Sequence, residues 1–264
     1  MDDDQKELLK ISADAALKPF ADLMQQLFGG PLGEIGGMWQ DSLKVRREIR
    51  KIDLLKKVQK KLDEAAVEPR SIPDRIWLPV MQAALMEDDD TLQDKWASLL
   101  ANAADPRDTT PVLPSFAAIL GEIITRDAVF LDALHKRALE STRPPRSKLL
   151  SNVIFHRSDL LEIFAKAGLS RTQNLNIVYA RQYQDNKAQI DTDLVHFELT
   201  LTTLVRHGLV AVDQTANMAK DVVRSKSAPT DPYIELPQVV IEQLFCLSEL
   251  GISFVRACQA PSAE

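Results

Sequence analysis

The sequence predicts a mainly α-helical protein, in which an N-terminal helical module is followed by a winged-helix-like C-terminal domain with a small β-hairpin. Three observations carry this. Apolar residues recur at three- and four-residue steps through most of the first 140 positions, the spacing that lines one face of an α-helix. Only 9 of 264 residues are glycine and 6% are aromatic, a composition that leans towards helix. Beyond residue 206 the pattern shortens to apolar pieces, "LVAV" at 209–212 and "QLFCL" at 243–247, separated by a polar stretch over 213–232. The organisation expected is an amphipathic segment over 1–43, a helical module over 44–125 and the winged-helix-like domain over 126–264.

Taken in order, Leu9, Ala13, Ala16, Phe20, Leu23 and Leu27 predict a helix over 5–28, which Gly29, Gly30 and Pro31 end. Leu32, Ile35, Met38, Trp39 and Leu43 begin a second stripe, punctuated by Gly33, Gly36 and Gly37. Then comes "KVRREIRKIDLLKKVQKKLDEA", with Val45, Ile49, Ile52, Leu55, Val58 and Leu62 on one side and nine cations on the other. Pro69, Pro73 and Pro79 predict a turn and two element starts, with a short apolar helix over 75–86. Asp89 or Asp90 is placed to cap the next helix, where carboxylates meet free N–H groups. Leu92, Trp96, Leu99, Leu100 and Ala103 line one face of it, and Ala97, Ala101 and Ala104 allow close approach. Asp105 and Pro106 stop it. Trp96 reads as core with one N–H to satisfy, and Asn102 as a local hydrogen-bonding residue.

Helices are expected over 114–124 and, opened by Thr125 or Asp127, through Leu139; 142–146 reads as an exposed connector. A helix over 146–167 ends at Gly168, a longer one ends in "LTTLVRHGLVAV", and Ser248 is placed to cap the last. Helices, two strand-like pieces and a final helix in this order describe a winged helix-turn-helix.

The chemistry-bearing residues are sparse. Cys246 and Cys258 are too few for a disulfide framework, which favours a reducing compartment. No secretory signal and no apolar run of about 20 residues is visible, so a cytoplasmic protein is expected. His135, His156, His196 and His207 lack metal spacing to one another, and no phosphate-cradling or nucleophile-elbow motif occurs. Glu87 to Asp90 with Asp94 could hold a hard cation, but they lack the glycine of a calcium loop, and helix capping accounts for them. The reading is a non-enzyme with no cofactor and no metal.

Charge is uneven. Residues 1–42 carry eight acids and three bases, 43–61 nine bases and two acids, and 62–125 twelve acids and four bases. The nine bases are Lys44, Arg46, Arg47, Arg50, Lys51, Lys56, Lys57, Lys60 and Lys61. They are candidate contacts to an anionic surface, lipid headgroups at the inner membrane or phosphates. The competing reading is a face that offsets the chain's own acidic flanks. The acidic flanks lie within the same chain, which favours this second reading, while Met38 and Trp39 beside the basic run speak for the interfacial one.

The order of these pieces resembles the abortive infection alpha family of bacterial proteins. "LGEIGGMWQDSLKVRREIRKIDLLKK" is similar to the family's N-terminal region. "VEPRSIPDRIWLPVMQAALMEDDDTLQDKWASLLANAADP" is similar to its most distinctive segment, and makes Leu92, Trp96, Leu99, Leu100, Asn102, Asp105 and Pro106 the family-signature core. "VLPSFAAILGEIITRDAVFLDAL" resembles the continuation, with Leu113 where a histidine is common, and "LTTLVRHGLV" with "CLSELGISFVRAC" resembles the C-terminal pair. The resemblance implies a role in bacterial defence against phage, by arrest or death of the infected cell; separately, a protein partner or phage-derived trigger is expected, with self-association as a further option. It transfers no catalytic residue. The alternative is a winged-helix DNA-binding regulator contacting DNA through Arg206. There, Asp191, Asp193 and Glu198 oppose Arg206 and His207, which disfavours nucleic acid as partner.

Overall fold

The computed structural model describes residues 21–28, 44–107, 111–141, 150–171, 192–213 and 244–261. Most of the expected helix over 5–28, the stripe over 32–43 with Met38 and Trp39, and the connector 142–146 lie outside them. Among the described residues are nine α-helices and one three-stranded sheet. The helices are α1 (Ala21–Phe28), α2 (Lys44–Glu64), α3 (Asp74–Ala84), α4 (Asp90–Ala104), α5 (Ser115–Glu122), α6 (Thr125–Ser141), α7 (Arg157–Lys166), α8 (Thr192–Arg206) and α9 (Glu249–Ala257). A 3-10 turn, Leu150–Asn152, precedes β1 (Phe155–His156); β2 is Val210–Asp213 and β3 is Leu244–Leu247. The chain forms two compact units, residues 1–131 with 250–264, and residues 132–249.

The first unit is built around α4. A helix buried on one side shows one apolar stripe, whereas one enclosed all round is small and apolar throughout. From Lys95 to Ala104 every residue is buried, so both the Leu/Trp face and the alanine face of α4 meet neighbours. α2 and α3 both pack against it; Leu54, Leu55, Val58 and Leu62 of α2 and Trp77 and Val80 of α3 are buried. The buried stripe of α2 starts later than its sequence suggests, since Ile49 is exposed. In α1, Leu23 and Leu27 are buried, and the Ile72 N–H donates to the Leu27 carbonyl at 2.8 Å. Phe116 of α5 meets Phe254 of α9 edge-on, with centroids 5.4 Å apart.

Pro79 is a correction to the sequence reading: it lies inside α3, not at an element start. A mid-helix proline removes one hydrogen bond and costs about 3 kcal/mol. Burial of Ile76, Trp77, Val80, Met81 and Ala84 around it holds the helix together.

At the start of α4 the cap is Asp89, whose carboxylate accepts the N–H groups of Thr91 (2.9 Å) and Leu92 (3.0 Å). Asp89→Ala should cost about 1 kcal/mol, within the range for lost N-caps, and Asp89→Ser clearly less. Equal losses for both in chemical denaturation would remove capping as the cause.

The second unit carries the sheet. Its strand order is β1-β3-β2, antiparallel throughout, so the expected hairpin gains a third strand. Phe155 pairs with Phe245 and His156 with Leu244 on one side of β3; Ala211 pairs with Cys246 and Val212 with Phe245 on the other. The expected helix over 146–167 is accordingly shortened to α7, because residues 155–156 join the sheet. Gly168 and Gly208 follow α7 and α8 at φ of +75° and +69°, the left-handed conformation that ends a helix at least cost in glycine. Ser248 donates its hydroxyl to the Gly208 carbonyl, tying the residue after β3 to the turn after α8 within this unit. Phe164 of α7 and Phe197 of α8 stack edge-on at 5.5 Å, with the Arg157 guanidinium 5.7 Å over the Phe197 ring.

Candidate functional site

The signature residues of α4 gather in the core of the first unit. Leu92, Leu99 and Leu100 are buried, and Trp96 is 1% exposed. Among the described residues the Trp96 indole N–H has no hydrogen-bond partner. Its ring is therefore held by packing alone.

Asn102 does more than bond locally. It is 5% exposed, and its amide nitrogen lies 3.0 Å from the Ser98 carbonyl, 2.9 Å from that of Ala257 and 2.7 Å from that of Gln259. Two N–H protons are shared among three carbonyls; that of Ala257 is a last-turn acceptor α9 cannot satisfy itself, and that of Gln259 lies two residues past its end. One side chain on α4 thus holds the end of α9 in the first unit.

Asp105 is buried beside exposed Pro106 and folds back on Arg107. Its carboxylate accepts the Arg107 backbone N–H at 2.9 Å and the guanidinium at 2.7–3.1 Å. That guanidinium hydrogen bond holds the Asp105 carboxyl below the usual carboxylate range, against the opposing effect of burial. The Leu92 N–H does the same, chiefly, for Asp89. A depressed folded-state pKa gives stability that is present above the unfolded value of about 3.9 and lost as pH falls through the folded one. The melting temperature is therefore expected to drop as pH falls below about 4, and to drop less in Asp105→Asn. A wild-type melting curve that is flat across that window would overturn the linkage.

The acids before and within α4 are engaged with their own surroundings. Glu87 accepts the N–H groups of Asp88 and Asp89, both at 3.0 Å. Lys57 reaches Asp90 at 3.5 Å and Lys61 reaches Asp94 at 2.9 Å. Among the described residues no three His, Cys, Asp or Glu side chains are placed to hold a metal ion.

These pairs also place the basic helix. Lys57 and Lys61 bridge α2 to α4, and Arg50 donates to the Leu85 carbonyl at 3.4 Å. Lys56 and Lys60 project further out, beside Asp53 (3.6 Å) and Glu64 (3.7 Å). Lys51 is half-buried. The side chains of Lys44, Arg46 and Arg47 lie outside the described part. Four of the described cations of α2, Lys56, Lys57, Lys60 and Lys61, thus lie beside the chain's own acids. No helix among the described residues is long and apolar enough to cross a membrane.

In the second unit, Arg206 is exposed at the end of α8, 3.2 Å from the His207 ring. Sequence alone points to that cation and not to the rest of the helix's surface. Leu194, Phe197, Leu201 and Leu204 face the core, while Val195 and Leu199 remain 37% and 56% exposed. With exposed Thr202 and Arg206 they make a second stripe at steps of four, three and four residues, a coiled-coil-like spacing. That spacing was available in the sequence, but the stronger buried stripe beside it conceals it. Acids near the seam are occupied: Glu198 pairs with Arg157, and Asp193 accepts from the Ser170 hydroxyl at 2.9 Å and the Arg171 N–H at 2.8 Å.

These features define a mainly helical protein with a small antiparallel sheet, organised in its first unit around a buried tryptophan helix. A family model described as abortive infection alpha matches residues 46–258, from the basic helix through the end of α9. The chain belongs to the abortive infection alpha family. No curated protein and no solved structure matches it.

Proposed function

We propose that this is an anti-phage defence protein of the abortive-infection type, working in the cytoplasm through protein contacts rather than catalysis. Family membership over residues 46–258 is the observation that carries the defence role. The contact mode is supported by the exposed Val195–Leu199 seam of α8, whose neighbouring acids are already engaged. A phage-derived protein or a host protein altered by infection is the class of trigger such a face would take. A membrane-surface mode is less favoured, because five of the cations on α2 lie against the chain's own carboxylates or a carbonyl.

The test is phage plating on a susceptible host with and without the gene, together with culture collapse at high phage dose. Protection is expected in the wild type. It should fall at least about tenfold in Leu199→Glu if that face binds the trigger. Equal plaque counts across a broad phage panel would overturn the defence role.

A winged-helix DNA-binding regulator is the second reading, and one observation favours it. The strand order β1-β3-β2, with α7 and α8 between β1 and β2, is compatible with a winged helix, in which α8 would be the recognition helix. Against it, the exposed seam of α8 offers Val195, Leu199 and Thr202, with Arg206 as its cation. Phosphate binding draws on several cations at once. Salt-dependent duplex DNA binding that Arg206→Ala abolishes would turn the preference round.

A further inference from the structure

We propose that the second unit pairs with a second copy of this chain through α8, with the two helices antiparallel and a twofold axis at Leu199. This rests on reading the exposed α8 face as protein-binding, and it names the partner. Val195, Leu199, Thr202 and Arg206 follow the alternating four- and three-residue steps by which one helix meets another along a seam. The 15-residue helix is about 22 Å long, enough for four such layers.

Charge selects the occupant and its direction. The seam begins beside Asp193 and ends at Arg206. In an antiparallel pair centred on Leu199, Arg206 of each copy lies opposite Thr192 and next to Asp193 of the other. Each basic C-terminal end then meets an acidic N-terminal start, and the two helix dipoles oppose each other favourably. A parallel pair would set Arg206 against Arg206 and Asp193 against Asp193, which is repulsive. Glu198 flanks the axis, where two copies would repel. Its ion pair with Arg157 of its own chain neutralises it. At the axis Leu199 meets Leu199, and Val195, opposite Thr203, lies next to Thr202 of the other copy. An interface of one helix per copy falls at the small end of specific interfaces, so the dimer is weak and concentration-dependent.

The test is sedimentation velocity of the full chain over a concentration series, with cysteine cross-linking to report direction. The wild type should pass from monomer to dimer as concentration rises. Leu199→Glu puts two carboxylates on the axis and should raise the dissociation constant more than about tenfold without changing the melting temperature of the monomer. Under mild oxidation Leu199→Cys should form a cross-linked dimer. Val195→Cys should do so only when mixed with Thr202→Cys, because those seam positions lie within one residue of each other across the axis.

A wild type that stays monomeric at every concentration overturns the pairing. So does a Leu199→Glu protein that dimerises like wild type, or a Val195→Cys protein that cross-links with itself as readily as Leu199→Cys, which indicates parallel helices. A monomeric wild type whose Leu199→Glu variant loses phage protection overturns the pairing and leaves the protein-binding reading standing. A dimer that Leu199→Glu dissolves while protection persists supports the pairing and removes this face from the defence role.

Discussion

Trp96→Ala is expected to cost about 3–5 kcal/mol and to leave the first unit unfolded or close to it at 37 °C. Trp96 lies at the middle of α4, 1% exposed, with buried residues before and after it along the helix. Truncation there removes the indole's share of apolar burial and leaves a cavity that neighbours fixed by their own packing cannot fill. Trp96→Phe separates packing from hydrogen bonding. The indole N–H is buried without a partner among the described residues, so phenylalanine loses volume but also removes an unsatisfied donor. The two effects oppose each other, and the variant should stay within about 1.5 kcal/mol of wild type. Thermal and urea unfolding of the three proteins measure this. A Trp96→Ala protein with an unchanged melting temperature and lost phage protection would instead make the indole a contact to a partner.

What was legible in the sequence was what is local. Asp89 before Thr91 and Leu92 is a cap because the N–H donors it accepts from sit two and three residues on, and the stripe of α4 is read from its own spacing. The glycines at 168 and 208 end helices for reasons confined to one residue. The features that escaped depend on distant residues. β1 is two residues long, and Phe155 becomes a strand residue only because Phe245 is there to pair with. Pro79 carries a strong local signal for an element start, and tertiary burial of its neighbours overrides it. The acidic flanks of α2 make self-neutralisation of its cations legible in the sequence, but not which acids do it: Lys57 and Lys61 have theirs 33 residues further along. The seam on α8 has a visible period, but whether its leucine faces core or solvent depends on which stripe the rest of the unit covers.

Asn102→Asp is expected to be the most damaging conservative change in the molecule. The amide nitrogen of Asn102 faces three carbonyls, of Ser98, Ala257 and Gln259. Aspartate replaces that donor with a carboxylate oxygen, so acceptors would confront acceptors inside a buried site. Asn102→Ala leaves the Ala257 and Gln259 carbonyls without this donor, at about 1–3 kcal/mol. Asn102→Asp adds an uncompensated buried charge and should cost about 3–5 kcal/mol at neutral pH. Burial and the facing carbonyls both favour the protonated form, which regains one O–H donor. The deficit relative to wild type should therefore grow as pH rises through the raised pKa of the new carboxyl and shrink below it. Wild type itself weakens in acid through Asp89 and Asp105, so the comparison is made at each pH. Amide exchange locates the effect: both variants should exchange faster over residues 250–259, which return to the first unit, than over β2 and β3 of the second. If Asn102→Ala melts like wild type and exchange over 250–259 is unchanged, Asn102 does not hold α9, and Phe254 against Phe116 is left to anchor that return.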